Sequence, residues 1–132
     1  MATLTGPPIA RVVATLLLVA GLSATACDSS NGVASDLLRR TVPAGDSTPT
    51  LSGPVRTGQS VQFTWEFQTH LGASAYMDWL ARQLHEYRMV ARDASQLRLA
   101  KGVAGDAYVL MIALEPINER TYVRITFSAS PD

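Results

Sequence analysis

The residues that bear most on chemistry are two histidines, one cysteine and scattered carboxylates. His70 and His85 stand within reach of Glu66 and Asp78 in the chain. Imidazole with carboxylate can ligate a metal or move a proton. Their spacing matches no zinc signature such as H-E-x-x-H, and surface histidines are the simpler reading. Ser29 and Ser30 fall in a stretch read below as a tether, where nothing rigid would orient a nucleophile. Ser74 lies near a histidine and an aspartate but has no G-x-S-x-G frame. Gly102 and Gly105, in Lys101-Gly102-Val103-Ala104-Gly105-Asp106, lack the Gly-Lys-Ser/Thr ending of a phosphate loop; a hairpin turn accounts for both. The sequence therefore assigns no catalytic, cofactor or metal site. The enzyme alternative is a small hydrolase or metal-dependent enzyme using His70 and His85.

Cys27 closes the uncharged run Val12 to Ala26, which follows Arg11. The run has 15 residues. A helix needs roughly 20 to cross the hydrocarbon core. A cleaved export signal is favoured over a spanning anchor. The end of the run, Leu22-Ser23-Ala24-Thr25-Ala26-Cys27, resembles the lipobox of bacterial lipoproteins. That resemblance covers only the first fifth of the chain. It implies a diacylglycerol on the Cys27 thiol, cleavage before Cys27 and acylation of the new N-terminus by a chain such as palmitate. The departure is Ala24, where the family prefers a large aliphatic residue. Ala24-Thr25-Ala26 also fits the ordinary secretory peptidase, which would leave a free thiol in an oxidising compartment. Two or three acyl chains make a stable anchor where one is marginal. Asp28 resembles the enterobacterial signal for retention at the inner membrane. The expected location is the bacterial cell envelope, on the periplasmic side of a membrane.

Charge excludes one class of partner. The chain balances 11 basic against 11 acidic residues. Cleavage before Cys27 would also remove Arg11, so no basic excess exists for nucleic acid. With one cysteine there is no disulfide, and stability must come from a small core.

Residues 27–58 are rich in Ser, Thr, Gly, Pro and Asp, and Pro43, Pro49 and Pro54 punctuate them. Such composition buries little apolar area, so a flexible linker is expected after a signal peptide at 1–26. Asp36 to Arg40 is read as one helical turn at most, and Arg39-Arg40 as a solvated pair or a contact to anionic lipid.

The folded domain is placed at 59–132. Val61, Phe63, Trp65 and Phe67 alternate with polar residues over Ser60 to Gln68, the mark of a half-buried strand. Ala73 to Val90 changes to helical spacing, with Ala73, Met77, Leu80, Leu84 and Tyr87 on one stripe. Gly72 or Ser74 is its expected cap, and Asp78 with Arg82 an i,i+4 pair. Ser95 to Ala100 points Leu97 and Leu99 inward. Ala107 to Leu114 is apolar on both faces, as in a central strand covered on both sides. Thr121 to Ala129 alternates again. The expected fold is α+β in two layers: one helix on a four-stranded, mostly antiparallel sheet in the order β-α-β-β-β. The edge joined by the first strand is open.

The functional expectation is a non-catalytic binding or adaptor domain for another envelope protein. A small-ligand carrier is a further alternative, though one helix on a sheet encloses little volume. Two surfaces are candidates. One is the sheet face away from the helix, with Arg98, Tyr122 and Arg124 around an apolar stripe. The other is Tyr76 with Trp79 on the helix flank.

Overall fold

The computed structural model describes residues 21–131, and of their side chains those from 30 onward. The chain divides after Val33 into two units. Of the first, the described part is helical and begins helix α1, Gly21–Thr41. The lipobox reading, the signal peptide and the Cys27 side chain lie outside the described side chains.

The second unit holds the end of α1 and everything after it. Its element order is β1 (Thr50–Thr57), β2 (Ser60–Thr69), α2 (Ala73–Gln83), β3 (Arg88–Arg92), β4 (Gln96–Val103), β5 (Asp106–Ile117) and β6 (Arg120–Pro131). The strands form one antiparallel sheet in the order β1-β2-β6-β5-β4-β3. The class is α+β, as expected, but with six strands and two helices. The first expected strand, β2, does not lie at an edge of the sheet. It pairs with β6, Trp65 facing Ile125, and with β1 on its other side.

Each addition has a physical reason. Within residues 34–41, Ala34, Leu37 and Thr41 are buried, at i, i+3 and i+7 on one helical stripe. Three residues in a polar segment carry little signal in composition, so the linker reading of 27–58 is corrected here. β1, in the same segment, is exposed along its whole length and shows no alternation. It bulges between Ser52 and Val55. A Cβ at Gly53 would stand 2.8 Å from the Gln62 carbonyl oxygen, so only glycine fits there. At the far edge, β3 replaces the last turns of the expected helix. Leu84 leaves helical geometry at φ −111°, ψ 46°. The apolar stripe nonetheless runs on through Leu84 and Tyr87, both buried, because turn and helix pack on the same sheet.

One face of the sheet carries the core. Trp65, Phe127, Leu97, Leu99, Leu110, Ile112 and Ile125 are almost wholly buried beneath Leu37, Tyr76, Met77, Leu80 and Leu84. Thr41 ties the layers together. Its hydroxyl accepts from Trp65 Nε1 at 2.9 Å, and its carbonyl accepts from the Tyr76 hydroxyl at 2.6 Å. Tyr76, expected as a partner surface, is therefore corrected to core; burial pushes its phenol well above the ordinary range. Arg40 is not solvated: it donates to both Glu86 oxygens, at 2.6 and 2.9 Å. Asp78 pairs with Arg92 at 2.8 Å rather than with Arg82, because β3 brings Arg92 beside α2. Gly72 is the N-cap of α2.

The Arg40 pair makes stability depend on pH. Its hydrogen bonds hold the Glu86 carboxyl at about 2, below its ordinary 4.5, against the opposing cost of burial. A carboxyl depressed in the folded state stabilises above its unfolded value and loses that contribution as it is protonated. The melting temperature should fall as pH drops from 4.5 toward 2. Glu86→Gln should flatten part of that slope in a thermal-melt series. Burial opposes the charge of Asp46, but hydrogen bonds from Thr69 and His70 outweigh it and lower its pKa. Asp46 therefore adds to the slope in the same direction and keeps it from vanishing in Glu86→Gln. Equal slopes in both proteins would refute the role given to Glu86.

Candidate functional site

With α2 and residues 34–41 of α1 on one face, the other face of the sheet stays open. Strand pleating decides who occupies it. Val109, Met111 and Ala113 of β5 point there, opposite the buried Leu110 and Ile112. The central strand is thus apolar on both faces yet covered on one only; of the two sides that could form the expected apolar stripe on the open face, it is that of Val109 and Met111. Met111 is 45% exposed.

Register places the neighbours. Arg98 of β4 faces Met111, which faces Thr126 of β6 and then Thr64 of β2. The next row runs Gln96, Ala113, Arg124, Glu66. Arg124 Nε donates to Glu66 at 3.2 Å. An exposed pair of this kind adds little to stability, because solvent screens it. A hydrogen bond to Glu66, with some burial, raises the Tyr122 phenol above its ordinary value. Arg98 meets no carboxylate among the described residues; its Nη2 stands 3.9 Å from the Met111 sulfur.

A concavity of about 370 Å³ opens on this face. Its lining includes Ala91, Arg92, Asp93, Arg98, Met111, Ala113, Arg124 and Thr126. It exists for two local reasons. Ala113 is the smallest side chain in its row, so the floor drops between Gln96 and Arg124. The β3–β4 turn walls one side, held by Asp93 Oδ1, which accepts from Ser95 N at 2.8 Å. Arg92 and Asp93 were not singled out in the sequence, because only the turn after β3 brings them to the rim.

The expected site residues are thus sorted. Arg98 and Arg124 share the concavity. Tyr122 is half-buried beside Arg124 on β6, outside the concavity. Trp79 is half-buried on α2, its ring 5.6 Å from that of Tyr76. His70 and His85 flank opposite ends of α2, an 11-residue helix. At 1.5 Å per residue that is roughly 16 Å of separation, so they share no site. His70 Nδ1 instead lies 2.6 Å from Asp46 Oδ1. Ser74 Oγ faces Arg92 at 3.3 Å. Among the described residues no cluster of His, Cys, Asp or Glu could hold a metal ion. Ala104 and Gly105 form the β4–β5 hairpin turn with φ of 50° and 88°. A two-residue turn with both φ positive matches the twist of its strands, so this segment is a hairpin and not a phosphate loop.

Among the described residues no helix is long and apolar enough to cross a membrane. No family model matches the chain, and no curated protein does. Among solved structures the chain is similar to CalU16 from Micromonospora echinospora, with a TM-score of 0.47 and 8% identity, over 65% of this chain and 73% of that one. A likeness of that size carries no argument about what either protein does.

Proposed function

We propose that this chain is a lipid-anchored protein of the bacterial cell envelope whose folded domain is a non-catalytic binding or adaptor module. Cys27 carries the lipid in this reading, and Asp28 favours the inner membrane. The open sheet face engages another envelope protein. The observation that carries the reading is the composition of that face: exposed Met111 beside Val109 and Ala113, rimmed by Arg98, Arg124 and Tyr122. An apolar centre within a polar rim, with arginine and tyrosine, is the usual anatomy of a protein interface.

The test is capture from detergent-solubilised envelope. Arg98→Ala with Arg124→Ala should leave the melting temperature nearly unchanged, since both side chains are exposed. The same double variant should lose its partner, because arginines of this kind are common hot-spot residues. Recovery of the same partners at the same yield would move the interface elsewhere, with Trp79 as the next candidate. Lipidation has its own measurement. Mass spectrometry of the membrane fraction should find acylated Cys27 at the N-terminus, and Cys27→Ala should release the protein. An unmodified chain in the soluble fraction would reject the anchor.

A further inference from the structure

The concavity over Ala113 has the size and charge of a ligand site in its own right. At about 370 Å³ it falls in the ordinary range of small-molecule sites, roughly 300–1,000 Å³. Its floor and sides include Met111, Ala113 and Ala91, which offer apolar surface. Its charged residues are three arginines and one aspartate.

Each charge can be followed to its partner. Arg92 is held by Asp78 at 2.8 Å and so is neutralised from the helix side. Asp93 Oδ1 accepts from the Ser95 amide and caps its own turn. Arg124 meets Glu66 through Nε alone, so its two terminal nitrogens have no carboxylate among the described residues. Arg98 has only the Met111 sulfur beside it. Two guanidinium groups with donors that no carboxylate takes thus sit diagonally across Met111 and Ala113: Arg98 leans over Met111, while Arg124 is drawn toward Glu66 on β2, which leaves Arg98 as the principal anchor. Two strands and two residues separate them, about 12 Å between backbones at ordinary sheet spacing. A guanidinium fork matches the oxygens of a carboxylate, and the apolar floor matches a hydrocarbon body. A cation would meet the two arginines, and a neutral apolar molecule would leave their donors unused. A nucleic acid would need a wide basic field, which a chain of net charge zero does not offer.

We propose that this concavity binds a small organic carboxylate carried on an apolar body. The proposal goes beyond the protein-partner reading and does not depend on it, because it is read from direct binding to the purified chain.

Four methionines make the test local. With carbon-13 in the methionine methyls of the full chain, Met111 reports the concavity, while Met77 reports the buried core and Met89 the β3 edge. The probe is phenylbutyrate, titrated beside phenylbutylamine and phenylbutanol, which keep the body and change the charge. Phenylbutyrate should shift the Met111 methyl saturably, with Kd on the order of 1 mM, the range open to about a dozen heavy atoms. The amine and the alcohol should bind at least about tenfold more weakly, because they forgo the charge-assisted hydrogen bonds. Arg98→Gln should weaken phenylbutyrate about tenfold without changing the melting temperature. Ala113→Phe keeps both arginines and fills the floor, and should abolish the shift.

Any of four results would overturn the proposal. The first is no saturable shift up to about 10 mM phenylbutyrate, beyond the affinity a ligand of this size should show. The second is equal binding of the amine or the alcohol. The third is wild-type affinity in either variant. The fourth is a response at Met77 or Met89 with none at Met111.

Discussion

Trp65→Ala should destabilise the domain by about 3–5 kcal/mol, the usual cost of removing a buried large aromatic. Trp65 is fully buried on β2, where it faces Ile125 of β6 and Leu51 of β1. Its indole also donates to Thr41, at the end of α1. Removing it opens a cavity where sheet and helix meet, and the Thr41 hydroxyl loses a buried donor. Domains of this size hold about 5–15 kcal/mol in all, so the melting temperature should drop by more than about 10 °C. Trp65→Phe separates the two contributions. It keeps most of the volume and loses the hydrogen bond, at about 1–2 kcal/mol. Thermal and denaturant unfolding measure both. A Trp65→Ala protein that melts with wild type would place this side chain outside the core.

Leu37→Ala should cost about 2–5 kcal/mol, as for other buried leucines. The result discriminates between two pictures of the segment after Cys27. In a solvated tether the same substitution would fall within about 0.5 kcal/mol of wild type. Alanine is also the better helix former, so propensity cannot produce a loss. Leu37 is 1% exposed, and its neighbour Leu38 is half-buried. Leu38→Ala should therefore cost less than Leu37→Ala. A denaturant midpoint unmoved by Leu37→Ala would restore the tether and detach residues 34–41 from the domain. Glu86 enters the same test, since Arg40 reaches it from the final turn of α1. If residues 34–41 are docked, Arg40→Ala should remove the acid slope assigned to Glu86.

The sequence by itself determined the strands that bury one face and show one face to water. Alternation in Val61 to Phe67 and in Val123 to Phe127 has period two, and only an extended chain gives that period a buried side. Periodicity likewise placed Met77 and Leu80 on the inner side of α2, with Leu84 just past its end, and Arg98, Tyr122 and Arg124 on the outer side of the sheet. What depends on pairing was not legible. β1 and β3 are edge strands, exposed on both faces, so neither leaves a periodic trace. Their order is held by backbone hydrogen bonds to β2 and β4, and these do not depend on side-chain type. The docked turn of α1 rests on Leu37, Ala34 and Thr41, too few residues to stand out from a Ser- and Pro-rich background. Tyr76 shows the limit from the other direction. Its position flanks the stripe, and only the arrival of Thr41 above it supplies the carbonyl that lets its hydroxyl be buried. The concavity is decided last of all. Its floor is one alanine and its wall one turn, and what makes them a site is that β3, β4, β5 and β6 lie side by side.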